Sequence, residues 1–261
     1  MEQTKDLLWT ALETGGPFYF LRFGDGDLFL IDGEDREMHH INSPELRRDL
    51  TESICIEGPG FYKASIVNTH KDSSGSFHCF VPRNMKHDVK KGQLRMKRVN
   101  RDLRRIQEMI CGDSTFYHLH VFQHVFEHEI TWFNSWLKML EGKKVLFIAG
   151  DKLCGSPLVK KMYNVKTEIA FPGTNDAYYH FDEFLPEIMK QVPEHDVIIP
   201  VIGMATRVLG KILYTSGYED KIFIDIGVIT DALSGVRDRY WSRRMKDEGI
   251  IDKYKEINHA L

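Results

Sequence analysis

Cysteine is scarce in this sequence, and its scarcity excludes several kinds of fold. Only four cysteines occur among 261 residues, and no two of them form a C-x-x-C pair. A scaffold held together by disulfides and a four-cysteine zinc site are therefore excluded. Such low use of cysteine is typical of proteins in reducing compartments, and it predicts a cytoplasmic location.

Long apolar runs and a strong charge of either sign are also missing. No apolar stretch approaches the roughly 18 residues of a membrane span. The first residues, MEQTKDLLWTALETGG, carry charges where a signal peptide needs an apolar segment. The formal net charge of −3 excludes a chain that coats nucleic acid through overall positive charge. With 42% hydrophobic residues, the composition is that of an ordinary globular protein with one large core.

Apolar segments and helical segments alternate along the second half of the chain. The patterns predict strands over 144–149, 167–171, 196–201 and 221–226, and helices over 157–163, 177–191 and 205–214. Strands that are apolar throughout are typical of a parallel sheet covered by helices on both faces. We therefore predict a single α/β domain over residues 1–261, with a mostly parallel sheet and a Rossmann-like half at 143–235.

The most informative segment lies at the end of a buried strand predicted over 18–23. It reads Arg22-Phe23-Gly24-Asp25-Gly26-Asp27. Ligands of open α/β sheets bind beyond the carboxyl ends of the strands. On a loop at such an end, Asp25 and Asp27 offer the oxygen ligands that a hard divalent cation prefers, and Arg22 can pair with a phosphate. The alternative is an Asp-Gly turn between two strands.

Two later strand ends carry residues suited to a phosphate site and to a general base. Gly203 opens the turn that leads to a helix near Thr206, where free backbone N–H groups attract anions. A plain turn between strand and helix is the alternative. Asp225 lies near the end of the next strand, and Asp231 follows as a candidate general base. Alternatively, Asp231 caps a following helix.

Two conspicuous segments are less informative. Residues 124–128 match the H-x-x-E-H pattern of some zinc peptidases, but the chain has 12 histidines and no third ligand is identifiable. A helix that packs its aromatic residues is the better interpretation. Residues 83–105 hold ten Lys or Arg and two Asp. This basic stretch is either a solvated helix face or a binding surface for an anionic partner.

The order of these motifs resembles that of the GT-D-type glycosyltransferases, a family of enzymes that use sugar nucleotides. The hallmark of the family is an R-F-G-D-G-E segment near the N-terminus, which stands here as residues 22–27 with Asp27 as the second acid. A family P-x-x-N-A element is similar to the segment around Asn175. The segments that contain Gly203 and Asp225 follow in the same order, so the resemblance extends over about residues 18–235.

The resemblance implies a GT-D-type fold and an inverting sugar transfer that depends on Mn²⁺ or Mg²⁺. Asp25 and Asp27 would hold the metal. Asp231, or alternatively a histidine such as His180, would take the proton from a hydroxyl of a glycan acceptor. The donor would be a nucleoside-diphosphate sugar, with UDP as the expected nucleotide. It would contact Arg22, Gly24, Asn175, Gly203, Thr206 and Asp225. No nucleic acid is expected as a partner.

Two other functions stay open at this point. The strand and turn KVLFIAGD at 144–151 could bind the nucleoside of S-adenosylmethionine in a Rossmann-like methyltransferase, although the segment lacks a G-x-G. The other alternative is a protein without catalytic activity, whose basic stretch at 83–105 docks an anionic partner.

Overall fold

A parallel seven-stranded sheet forms the centre of the protein. The computed structural model describes residues 1–33, 42–65, 105–111, 114–172, 177–235 and 240–259. The strands are β1 (Phe18–Phe23), β2 (Phe61–Ser65), β3 (Phe116–His118), β4 (Val145–Gly150), β5 (Val165–Phe171), β6 (Val197–Val201) and β7 (Ile222–Ile224). Their order across the sheet is β3-β2-β1-β7-β6-β4-β5, and each pairing is parallel. The predicted α/β fold with a mostly parallel sheet is confirmed.

Helices cover both faces of this sheet. They are α1 (Glu2–Thr14), α2 (Asp25–Ile31), α3 (Pro44–Cys55), α4 (Val121–His128), α5 (Ile130–Lys138), α6 (Pro157–Tyr163), α7 (Phe181–Gln191), α8 (Ala205–Thr215), α9 (Val228–Leu233), α10 (Tyr240–Asp247) and α11 (Ile250–His259). Residues 105–111 are also helical, and a 3₁₀ turn at Val192–Glu194 follows α7. Within the described ranges, no helix has the length and apolar character needed to cross a membrane.

Strand β1 lies in the middle of the sheet and separates two hydrophobic cores. Its side chains alternate, as successive residues of a strand must, so that Phe18 and Phe20 face one core and Tyr19, Leu21 and Phe23 face the other. All six residues of the strand are buried. The first core is completed by α1, α4, α5, α6, α9, α10 and α11, and the second by α2, α3, α7, α8 and the helical residues 105–111. Because helices cover both faces of the sheet, the strand does not alternate between polar and apolar residues.

The acidic segment after β1 differs from the expected loop, because α2 begins directly at Asp25. The backbone N–H of Gly24 donates to Oδ2 of Asp27 over 2.7 Å, which satisfies a donor at the start of the helix. Leu28, Phe29 and Leu30 then bury the helix against the second core. As a result, Asp27 is buried and Asp25 is exposed.

Candidate active site

The carboxyl ends of β1 and β7 lie side by side in the middle of the sheet. From β1 the chain continues outward through β2 and β3, whereas it reaches β7 from β6 on the opposite side. At such a switch in direction, the connections diverge and leave a crevice at the carboxyl edge, which is where ligands of α/β sheets bind. The acidic segment after β1 and Asp225 after β7 both open onto this edge.

Arg22 and Asp225 form a buried ion pair across the two strands. Nη2 of Arg22 donates to Oδ1 of Asp225 over 3.1 Å, and the backbone N–H of Arg22 donates to Oδ2 over 3.3 Å. Nη1 also donates to the carbonyl of Leu119 over 3.4 Å. Arg22 is 6% exposed and Asp225 is 2% exposed, so neither charge would be well solvated without the other.

Asp27 lies at the same edge, and only one of its two carboxylate oxygens accepts hydrogen bonds from the described residues. It is 4% exposed, and its Oδ2 accepts from Gly24 and from Nη2 of Arg207, the latter over 3.2 Å. Oδ1 is buried and has no hydrogen-bond partner among the described residues. Burial raises the pKa of Asp27, the charges of Asp225 and Asp25 raise it further, and Arg207 and the Gly24 N–H lower it. A buried carboxylate oxygen without a donor is a suitable ligand for a cation.

Arg207, in the first turn of α8, connects the ends of three strands. Its Nη2 contacts Asp27, its Nη1 lies 3.7 Å from Oδ2 of Asp225, and Nη1 also donates to the carbonyl of Gly203 over 2.6 Å. Two arginines and two buried aspartates therefore balance one another in charge. This network holds the carboxyl ends of β1, β6 and β7 in a fixed arrangement.

Gly227 makes room for the arginine of this network. It has a φ of 66°, which is in the left-handed region that favours glycine. A Cβ added at this position would overlap the guanidinium of Arg22. The backbone after β7 can therefore pass close to Arg22 only because residue 227 has no side chain.

Several solved structures have the same fold as this chain. One, described as a new glycosyltransferase (DUF1792) from Streptococcus sanguinis, superposes with a TM-score of 0.65 at 15% identity, over 95% of this chain and 84% of that chain. Another, of a domain of unknown function 1792 described as having a distinct glycosyltransferase fold, gives a TM-score of 0.63 at 16% identity, over 95% and 81% of the two chains. The chain has the DUF1792 glycosyltransferase fold. No family model matches its sequence, and no curated protein is similar to it in sequence.

In this DUF1792 fold, the other predicted site residues have different surroundings. Asp25 is exposed at the start of α2, and its Oδ1 accepts from the N–H of Gly26 over 3.1 Å. Gly203 forms the turn between β6 and α8 with a φ of 61°. Thr206 is buried, and its Oγ1 accepts from the N–H of Ile202 over 3.3 Å, so the hydroxyl stabilises the same turn. Asn175 lies outside the described residues, as does the basic stretch except for Arg105.

Asp231 lies in α9, the helix that follows β7. The hydroxyl of Tyr163 contacts that of the adjacent Thr230 over 3.0 Å. Burial raises the pKa of Tyr163, and among the weaker influences the charge of Asp231 raises it while that of Arg22 lowers it. The charges of Asp231 and Arg22 therefore both act on the same buried tyrosine.

Two residues at this edge were not assigned from the sequence. Arg207 follows the turn at Gly203, and the sequence predicted a role for that turn but none for Arg207. His120 follows β3, directly after the carbonyl that accepts from Arg22. Its Nδ1 lies 2.8 Å from Oε1 of Gln123, which places the proton of the neutral ring on Nδ1 and the lone pair on Nε2. Burial lowers the pKa of His120, Arg22 lowers it further, and Gln123 and Asp25 raise it.

The H-x-x-E-H segment forms α4 and lacks the arrangement of a metal site. Nε2 of His124 lies 3.1 Å from Oε1 of Glu129, and Nε2 of His128 lies 3.3 Å from Oε2 of Glu127. Each histidine is thus next to a carboxylate. Over the described ranges, no three His, Cys, Asp or Glu side chains are grouped in a way that would hold a metal ion.

Proposed function

We propose that this protein is a glycosyltransferase that moves a sugar from a nucleoside-diphosphate sugar to a hydroxyl of a glycan acceptor. The observation that carries the proposal is the buried Oδ1 of Asp27, which has no hydrogen-bond partner in the described part of the chain and lies beside Arg207. It stands at the carboxyl edge of a sheet with the DUF1792 glycosyltransferase fold. Because a fold alone does not assign an activity, the chemistry of this edge has to support it.

Asp27 and Asp25 fit a divalent cation such as Mn²⁺ or Mg²⁺. Asp27 offers the buried Oδ1, and the charge of Asp25 is close enough to raise the pKa of Asp27. Proteins commonly hold such ions with one or two carboxylates, while phosphate oxygens and water complete the coordination. Two carboxylates are therefore sufficient for a metal that also contacts the donor. When bound, the ion neutralises the charge that develops on the leaving diphosphate.

The arginines and the turn after β6 are suited to the diphosphate of the donor, for which we propose UDP as the nucleotide. Arg22 and Arg207 supply positive charge, and the backbone of Gly24 and Gly203 lies at the same edge. Asp225 holds the guanidinium of Arg22, and the hydroxyl of Thr206 fixes the turn at Ile202. In this proposal, Asp225 and Thr206 act by positioning other groups, and Asn175 contributes from outside the described residues.

Inversion of the anomeric centre requires a group that takes the proton from the attacking hydroxyl. Asp231 is the first candidate that the sequence offers. His120 is a second candidate, because its neutral ring carries a lone pair on Nε2 and its pKa responds to the charges of both Arg22 and Asp25. Either group would work alongside the network that holds the donor.

Substitution of the two candidates should identify the base. If His120 takes the proton, His120→Gln should lower kcat by about 10²–10⁴-fold and leave the KM for the donor nearly unchanged. Steady-state rates measured across a range of pH should also lose the limb that reports the deprotonation of the imidazole. The matched variant is Asp231→Asn. If Asp231→Asn gives the large loss and His120→Gln stays near the wild-type rate, the base is Asp231.

The proposed function is tested by the release of nucleotide from a panel of sugar nucleotides. The full-length protein is incubated with UDP-sugars and other nucleoside-diphosphate sugars, with Mn²⁺ and simple glycan acceptors. We expect one donor to be turned over, and chelation of the metal to stop the reaction. Failure of every donor, combined with thermal stabilisation by S-adenosylmethionine, would overturn the proposal in favour of a methyltransferase.

A further inference from the structure

Two cysteines from different helices meet at the edge of the sheet opposite the crevice. Cys55 is the last residue of α3, which leads into the amino end of β2, and Cys111 ends the helical residues 105–111, which precede β3. Because a helix that leads into a parallel strand ends at the amino edge of the sheet, both thiols lie away from the residues of the proposed active site.

The contacts of the two thiols are reciprocal. The thiol of Cys55 donates to the carbonyl of Ile110 over 3.5 Å, and the thiol of Cys111 donates to the carbonyl of Ile54 over 3.6 Å. Each thiol therefore bonds to the residue that precedes the other cysteine. The neighbouring thiol of Cys55 also raises the pKa of Cys111, as expected of two thiols that lie close together. Both are free in the structure.

The two sulfurs differ in exposure, and the difference assigns them separate roles. Cys55 is exposed, whereas Cys111 is only partly so. Burial raises the pKa of the Cys111 thiol to about 12, the neighbouring Cys55 adds to this shift, and Lys63 opposes it. Since the thiolate is the form that reacts with oxidants, an oxidant in solution should react at Cys55 first.

We propose that Cys55 and Cys111 form a reversible disulfide in the presence of a peroxide. In the first step the sulfur of Cys55 attacks the O–O bond of hydrogen peroxide, which yields a sulfenic acid and one water. In the second step the sulfur of Cys111 attacks that sulfenic acid, the S–S bond forms, and its thiol proton leaves with the hydroxyl as a second water. The two thiols together lose two electrons, and the peroxide is reduced by two electrons.

The bond would restrain a long stretch of chain. It would join the end of α3 to residue 111 and enclose β2 together with the residues between β2 and the 105–111 helix. A cross-link that closes a loop of this length usually stabilises a protein by restricting its unfolded chain. We expect the oxidised protein to unfold at a Tm about 5–10 °C above that of the reduced protein.

Thiol titration and peptide mapping test the pair directly. The full-length protein is treated with a small excess of hydrogen peroxide, then denatured and titrated, and its four thiols should fall to two. Without reductant, a tryptic digest should contain the peptide 49–63 linked to the peptide 106–138. Dithiothreitol should restore all four thiols and return the Tm to its original value.

Single variants separate this pair from the other cysteines. Cys55→Ser and Cys111→Ser should each abolish the cross-linked peptide and the rise in Tm, whereas Cys154→Ser and Cys79→Ser should leave both unchanged. The proposal is overturned if the four thiols survive the treatment. It is equally overturned if the cross-link involves Cys79, or if Cys55 proceeds to a sulfinic acid without bonding to Cys111. None of these outcomes depends on sugar transfer.

Discussion

Asp27→Asn is expected to lower the proposed metal-dependent sugar transfer by about 10²–10³-fold, because the variant would hold less well the cation that stabilises developing charge. The amide keeps the size of the carboxyl group and can still accept from the N–H of Gly24. It lacks the negative charge that the buried Oδ1 would present to a cation. Initial rates of nucleotide release over a titration with Mn²⁺, together with calorimetric metal binding, measure the effect.

A matched control for this substitution lies at the other end of the same helix. Asp32 is the C-terminal cap of α2, and Asp32→Asn removes the same charge at a distance from the crevice. This control should keep the metal response and the rate of the wild type. If Asp27→Asn bound Mn²⁺ with wild-type affinity, Asp27 would not be a ligand, and the proposed metal site would have to be given up.

Gly227→Ala should be the most destabilising small substitution near the proposed active site. The added methyl group would overlap the guanidinium of Arg22, and the backbone would have to hold an alanine at a φ of 66°. Displacement of Arg22 leaves the buried Asp225 with only the more distant Arg207, 3.7 Å away, and breaking a buried ion pair costs about 3–5 kcal/mol. We expect a loss of that size in the free energy of unfolding, measured by urea denaturation.

Gly235→Ala is the control that distinguishes backbone strain from steric overlap with a neighbouring side chain. Gly235 has a φ of 80°, also in the left-handed region, but a Cβ there would meet no atom of the described residues within 4 Å. Its replacement should cost only the conformational part, about 1–2 kcal/mol. Equal losses for the two alanine variants would show that contact between residue 227 and Arg22 contributes nothing to stability.

The fold was predictable from the sequence where local pattern determines structure. The aromatic run at Phe18–Phe23 and the apolar segment that forms β4 are buried on both faces of the sheet, and their lack of polar alternation is the signal for this. The start of α2 was not predicted, because two glycines favour a loop. What decides in favour of the helix is the hydrogen bond from Gly24 to the carboxylate of Asp27.

The composition of the candidate site was only partly predictable, because its contacts join distant parts of the chain. Arg22 and Asp225 are 203 residues apart in sequence, and Asp27 and Arg207 are 180 apart. The pairing of β1 with β7 brings these residues together. No local periodicity of the sequence predicts that these two strands are neighbours. For the same reason, Arg207 and His120 gave no sequence signal that distinguished them from ordinary residues of a turn.

The pairing of β1 with β7 also determines when the crevice can form during protein synthesis. Strand β1 leaves the ribosome before β7 does, and one of its edges stays unpaired until residues 222–224 have been made. Until then, Arg22 has no carboxylate partner. A nascent chain that stops before β7 would therefore lack the proposed binding site for the donor, and every completed crevice belongs to a chain that has been translated beyond β7.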